Sequence, residues 1–389
     1  MHPWLVRLEQ AGRGDGVNRV QFQHGLVIGK FYPPHLGHLY LMRTAAHHCR
    51  QVTVAVLGAS VESISIADRV AWLRECLVDL PHVCVVGALD DIPIDYHDPA
   101  IWDAHVAIMR AAVDESAAAG IAVDAVFTSE NYGGELARHF GAASVCLDPQ
   151  RALHPVSGTA VRTDLATHWW QLPAPVRAGL AMRVTVVGAE STGTTTLARD
   201  LATALQTRGG AWAATRWVAE YGREYSQNLM ALARARDPAA RPQDVHWQAD
   251  DFTLIAMEQT RRENAAAREG GPVLVCDTDA LATRIWHERY RGLRHQGVEA
   301  IAAAMPPRQL YLLTDHADVP FEDDGLRDGE TLRPWMTQRF VDVLAMQPVP
   351  WLRLSGSREL RLAKALTAVD TAWQRHAGFA LPLEQRAIA

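Results

Sequence analysis

The chain has 389 residues, 48% of them hydrophobic and 21% charged, with a formal net charge of −6. That length predicts two domains, each with enough apolar residues for its own core, and the acidic balance gives no general nucleic-acid footprint. No apolar run approaches the roughly 20 residues that a bilayer span needs, and the opening residues lack the apolar stretch of a secretory signal.

Residues 1–23 read as a polar N-terminal extension. From residue 24 apolar runs alternate with helical patterns: LVIGKF (26–31) as a strand, GHLYLMRTAAHHC (37–49) as a helix, QVTVAVLG (51–58) as a strand. A helix follows over 66–80, with Val70, Leu73, Leu77 and Leu80 on one face, then a strand over HVCVVGAL (82–89) and a helix over 101–120. Short strands at DAVFTS (124–129) and ASVCLD (143–148) flank the helix GGELARHF. Short apolar strands alternating with helices predict βαβ units and a parallel sheet, an α/β fold of Rossmann-like type over 24–163. Residues 164–182, with two prolines and adjacent tryptophans, break the alternation and read as a linker. It restarts over 183–389 with RVTVVG, a helix, TRWVAEY, a long helix over 245–267, PVLVCD, QLYLLTD and PWLRLSG, predicting a second parallel α/β domain. The polar segment FEDDGLRDGETLRPW (321–335) reads as a loop or lid. Five scattered cysteines (Cys49, Cys76, Cys84, Cys146, Cys276) form no C-x-x-C pair, which predicts buried thiols in a reducing cytoplasm.

The first strand ends in GKFYPPHLGH (29–38). His35 and His38 flank Gly37 at a helix N-terminus, where backbone N–H groups and the dipole favour anions. Gly29, Lys30 and Phe31 lead into that loop, and Lys30 adds a cation. Downstream, VSGTAVR (156–162) supplies Ser157 and Thr159 as caps and Arg162 as an anion partner. Two such segments at the carboxyl edge of a parallel sheet predict a polyphosphate seat. The alternative is that both histidines only cap a helix. Chemistry at phosphorus needs little from side chains when the attacking group is already an anion. Protonated His35 or His38, Lys30, Arg162 and a magnesium ion are expected to stabilise charge on the phosphoryl oxygens.

The second domain opens with VGAESTGTTTLA (187–198), a strand–loop–helix with the outline of the phosphate-binding loop G-x-x-x-x-G-K-[ST]. Gly188, Glu190, Ser191, Thr192, Gly193, Thr194, Thr195 and Thr196 are the candidate nucleotide contacts. The lysine position is Thr194, and the chain holds only two lysines, Lys30 and Lys364. Thr195 takes the magnesium-binding hydroxyl position. Asp277 and Asp279 in VLVCDTDA are expected as magnesium carboxylates, with Asp277 and Glu220 as catalytic candidates. Arg223, Arg327 and Arg333 are the candidates to restore the missing charge.

At H-x-G-H and at 156–162 the first domain resembles the nucleotidyltransferase superfamily, with Val156 in place of that motif's isoleucine. Together with DRVAWL (68–73), FTSE (127–130), LDPQR (147–151), Trp169–Trp170, VAEYGREY, DTD and DDGLR, the two halves resemble the bifunctional nicotinamide-nucleotide adenylyltransferase / ribosylnicotinamide kinase (NadR) family. The resemblance implies a first domain that makes NAD from nicotinamide mononucleotide and ATP, and a P-loop kinase-like domain acting on nicotinamide riboside, with magnesium. It also places Trp102 in the nicotinamide pocket. Some members carry an N-terminal helix-turn-helix; the short extension here predicts none, hence no nucleic-acid partner, and no membrane partner either. Homo-oligomers are compatible with the sequence. Two competing expectations stand beside this one. The lysine-less domain would be a non-catalytic nucleotide sensor, or the first domain would adenylylate another phosphate.

Overall fold

The computed structural model describes residues 20–93, 98–116, 120–317 and 319–385. Most of the N-terminal extension and His97 lie outside them. They form two compact units, one of the described residues up to Val176 with those from Gly378 onward, the other Arg177–Ala377. The second domain expected over 183–389 therefore ends earlier, because the segment from Gly378 makes its contacts with the first unit.

The first unit runs β1 (Phe22–Gly29), α1 (Leu36–His48), β2 (Cys49–Gly58), α2 (Ile66–Cys76), β3 (Val83–Leu89), α3 (Pro99–Asp114), β4 (Ala125–Thr128), α4 (Gly133–Phe140), β5 (Ala143–Cys146) and α5 (Gly158–Thr163). Its sheet has the order β3-β2-β1-β4-β5, all pairs parallel. Alternate residues of β1 serve opposite faces. Val27 packs with Leu41, Met42 and Leu73, whereas Leu26 and Ile28 pack with Val106, Met109 and Leu136. Helices cover both faces, so the strands read as unbroken apolar runs rather than alternating ones. The ends obey local rules: Ser65 accepts from the N–H of Asp68 to start α2, and α3 carries a proline at its start behind the Asp98 cap.

Residues 164–182 are more than a linker. Trp169 and Leu172 have no exposed surface, and Trp169 opens a short 3-10 turn ending at Gln171. Truncating such a buried tryptophan costs about 3–5 kcal/mol.

Helix α6 (Ala174–Leu180) precedes β6 (Met182–Gly188), α7 (Thr194–Gln206), β7 (Arg216–Val218), α8 (Tyr221–Arg236), α9 (Ala249–Glu269), β8 (Val273–Asp277), α10 (Ala280–Arg291), α11 (Gln296–Ala304), β9 (Leu310–Thr314), α12 (Arg333–Ala345), β10 (Trp351–Leu354) and α13 (Arg358–His376). The second sheet has the order β10-β9-β6-β8-β7, again all parallel. Its opening strand β6 is central, which puts the loop that follows it mid-sheet. Of the five thiols, Cys49 and Cys276 are buried but Cys146 is exposed, against the expectation of uniform burial. Among the described residues no helix is long and apolar enough to cross a membrane.

Candidate functional site

In the first unit the chain reverses its sheet order beside β1, and the carboxyl ends of β1 and β4 open into a cavity of about 380 Å³. This is where ligands sit in open α/β sheets. Gly29, Lys30, Phe31, His35, His38, Ser157, Thr159 and Arg162 all line it, so the two distant motifs meet in one place. The junction is direct. Arg162 Nη1 donates to the carbonyl of Tyr32 at 2.6 Å, and its guanidinium lies 4.9 Å from that ring's centre. Ser157 caps α5 by accepting from the N–H of Ala160 at 3.0 Å.

The two histidines form one unit. Their rings stack with centroids 3.5 Å apart, and the Phe31 ring meets His38 edge-on. His38 Nδ1 accepts from the backbone N–H of His35 at 3.3 Å, so His38 does cap α1, while His35 Nδ1 has no hydrogen-bond partner among the described residues. The expectation of protonated histidines fails. Burial, helped by Arg151 and His154, pushes His35 down to about 3. Burial and the neighbouring His35 hold His38 well below the ordinary imidazole range. Both shifts favour the neutral ring in the free protein. Because His38 Nδ1 is an acceptor, its proton sits on Nε2, leaving one N–H to offer a ligand.

Residues that the sequence left out support this cavity. Arg69, from the DRVAWL stretch, is fully buried on Glu62 at 2.8 Å and donates to the carbonyl of Lys30, also at 2.8 Å. Arg151 lines the cavity and pairs with Glu130 at 2.7 Å. Lys30 Nζ pairs with Glu384 and lies 3.8 Å from Glu62. Trp102 stands apart from the histidines. It lines a second cavity of about 380 Å³ with Asp90, His105 and Met109, which shares Gly29, Lys30 and Glu384 with the first. Its ring stacks on His139 at 5.6 Å.

In the second unit the P-loop backbone is formed. Gly193 sits at φ +86°, where a side chain would be strained, and Gly188 leaves no room for a Cβ, which would lie 2.2 Å from Thr314 Oγ1. Gly188, Glu190, Ser191, Thr194, Thr195, Glu220, Arg223, Asp277 and Arg327 line a pocket of about 120 Å³. Thr195 Oγ1 donates to Asp277 Oδ2 at 2.6 Å, joining the loop hydroxyl to the end of β8. Burial pushes Asp277 up to about 6, against the Thr195 hydrogen bond. Burial, then the nearby Asp277 charge, pushes Glu220 up to about 8.

Several expected contacts lie elsewhere. Asp279 does not line the pocket: it is fully buried, caps α10, and accepts from Tyr311 Oη at 2.7 Å and Arg308 Nε at 3.3 Å. Arg333 is buried on the carbonyls of His316 and Val319 at 2.9 and 2.7 Å, outside the pocket lining. Thr192 turns inward onto Ala189 O and Thr314, and Gly193 and Thr196 are exposed outside the lining. Glu190 and Ser191 accept from the N–H groups of Gly329 and Glu322, both at 2.8 Å, which seats the 320–329 loop on the P-loop. Arg223 pairs with Asp324, and Arg327 Nη1 donates to the carbonyl of Glu322 at 2.8 Å.

The aromatic side of this pocket went unread. Trp247, Phe252, Trp286 and Tyr290 line it, with Trp247 and Tyr290 stacked at 5.1 Å. Trp286 and Tyr290 are spaced i, i+4 in WHERY, a one-face signal once α10 is recognised. Arg289, 3% exposed, joins Glu190 at 2.8 Å and also pairs with Asp328.

Fold and site define a nucleotidyltransferase-like unit and a P-loop kinase-like unit in one chain. A family described as AAA domain matches residues 183–361. The trifunctional NAD biosynthesis/regulator protein NadR of Salmonella typhimurium is 26% identical over 341 residues, covering 84% of this chain and 77% of that protein. Its Escherichia coli counterpart is 26% identical over 317 residues, covering 78% and 71%. Two solved NadR structures, one in complex with NR and one with NAD and AMP-PNP, superpose with TM-scores of 0.63 and 0.62 at 20% identity. They cover 90% and 92% of this chain, and 96% of each NadR chain. The chain is a relative of the NadR family.

Proposed function

We propose that the first unit transfers AMP from ATP to nicotinamide mononucleotide, giving NAD and pyrophosphate, and that the second unit phosphorylates the corresponding riboside. The observation that carries the first half is the meeting of His35, His38 and Arg162 in one cavity at the carboxyl end of β1. The mononucleotide phosphate attacks the α-phosphorus and pyrophosphate leaves, with no base required. His38 Nε2–H, Lys30 and Arg162 donate to the phosphoryl oxygens, where fixed donors count most. The second cavity, with Trp102, takes the pyridine ring.

For the second half, the aromatic wall of Trp247, Trp286 and Tyr290 suits a pyridinium nucleoside, since ring faces attract a cation. One of the similar NadR structures is a complex with NR, which supports such a nucleoside as the ligand to test. Glu220, with its proton affinity near working pH, accepts the hydroxyl proton. The oxygen pair Thr195–Asp277 fits a hard cation such as magnesium, which would neutralise phosphate charge. Arg223 and Arg327 are the proposed replacements for the lysine missing at Thr194. The sensor reading keeps one specific support: both arginines, although they line the pocket, are already engaged within the 322–324 stretch.

The test is an assay of the purified protein with ATP and magnesium, given the mononucleotide or the riboside. NAD from the mononucleotide is expected, and its absence defeats the reading. NAD formation without riboside phosphorylation selects the sensor.

A further inference from the structure

Every cation at the phosphate end of the first-unit cavity is engaged. Arg162 is on the Tyr32 carbonyl, Arg151 on Glu130 and Lys30 on Glu384. Glu384 is the unusual partner. It comes from the segment that follows α13 in the chain, yet it lines both first-unit cavities. Residues 378–385 meet this wall through polar and aromatic contacts. Tyr32 Oη donates to the carbonyl of Ala380 at 3.0 Å, and the N–H of Ala380 donates to Ser63 Oγ at 3.2 Å. Phe379 meets the Tyr32 ring edge-on at 6.2 Å. The Lys30 and Glu384 side chains are 30% and 35% exposed, so their pairing is weak and exchangeable. Tyr32 joins both ends, since its carbonyl accepts from Arg162 while its hydroxyl anchors Ala380.

We infer that Glu384 is the resident anion of this cavity: it occupies Lys30 until a substrate polyphosphate displaces it, and residues 378–385 then leave the wall. The inference rests on the adenylyl-transfer reading for its substrate. Its chemistry is charge exchange. A triphosphate or pyrophosphate offers Lys30 several anionic oxygens, where Glu384 offers one carboxylate and a tether. The carboxylate that keeps Lys30 in place in the free protein thereby competes with the substrate, which sets apparent ATP affinity through a residue that touches no reacting atom.

The test is hydrogen exchange on the full chain, with and without saturating inorganic pyrophosphate, read by peptide. Peptides over 29–38 should gain protection while those over 378–385 exchange faster. Glu384→Gln should already exchange fast in 378–385 without ligand. In NAD formation, which reads the first unit alone, this variant should lower KM for ATP about two- to fivefold with kcat within about twofold, the range a half-exposed ion pair supports. Unchanged or slowed exchange at 378–385 under pyrophosphate overturns the inference, as does a raised KM. Absence of protection at 29–38 also overturns it, because no anion then competes for Lys30. A protein that makes no NAD yet releases 378–385 loses the proposed reaction and keeps this exchange; one that makes NAD with 378–385 unmoved does the reverse.

Discussion

The two aspartates of DTD should have opposite phenotypes. Asp279 sits in a buried cluster with Glu263 and Arg308, all three side chains at most 1% exposed, and the buried Arg183 acts electrostatically on Glu263 and Arg308. Two carboxylates balance two guanidinium groups. Asp279→Asn keeps the cap on α10, since asparagine caps as well as aspartate, but it leaves the cluster one positive charge in excess. The new amide also faces two donors, Tyr311 Oη and Arg308 Nε. Breaking one member of a buried charge set costs about 3–5 kcal/mol. For a unit the size of Arg177–Ala377, that lowers its Tm by roughly 6–20 °C, at about 2–4 °C per kcal/mol. Asp277→Asn should do the reverse. Burial already holds that carboxyl up at about 6, so a neutral amide costs little stability, while magnesium-dependent nucleotide binding is lost. Calorimetric melting and titration with magnesium–ADP read both quantities. If Asp279→Asn melts within about 2 °C of the parent and loses magnesium-dependent binding, the buried-cluster assignment is refuted and Asp279 is a metal ligand after all.

Glu220 carries a pH signature. Its affinity for a proton rises on folding from an ordinary 4.5 to about 8, so its contribution to stability is present below pH 4.5 and lost as pH rises through 8. Glu220→Gln should therefore be more stable than the parent at pH 8–9 by chemical denaturation, while losing riboside phosphorylation; unchanged stability there would count against the burial argument. With His35 and His38 neutral, kcat/KM for NAD formation should show no histidine limb near pH 6.5, and a limb that His38→Ala removes would contradict the burial shift. Arg223→Ala and Arg327→Ala should weaken phosphoryl transfer with little change in melting, whereas Arg333→Ala should lower Tm without a specific loss of nucleotide affinity, as measured by melting and ADP titration.

Local sequence determined the elements and the two glycine-containing loops that follow β1 and β6. The strands were legible because parallel strands covered on both faces must be apolar throughout, and the loops because glycines and hydroxyl residues recur at fixed spacing after a strand. The meeting of His35 with Arg162 followed from motifs at the carboxyl edge of one sheet. What spacing does not carry is direction. Asp277 and Asp279 look alike in sequence, yet one residue past the strand end the backbone turns, and Asp279 points inward to Arg308. Arg327 and Arg333 share a polar segment, but Arg333 already lies on α12, so its guanidinium goes to carbonyls beneath. The lowered proton affinity of His35 comes from burial together with Arg151 and His154, far along the chain. The aromatic wall needed α9 and α10 to be brought together, and Glu384 reached Lys30 only because the chain returns to the first unit after α13. Backbone propensity acts over a few residues and is written locally; burial, charge pairing and long-range return are set by the packed fold alone.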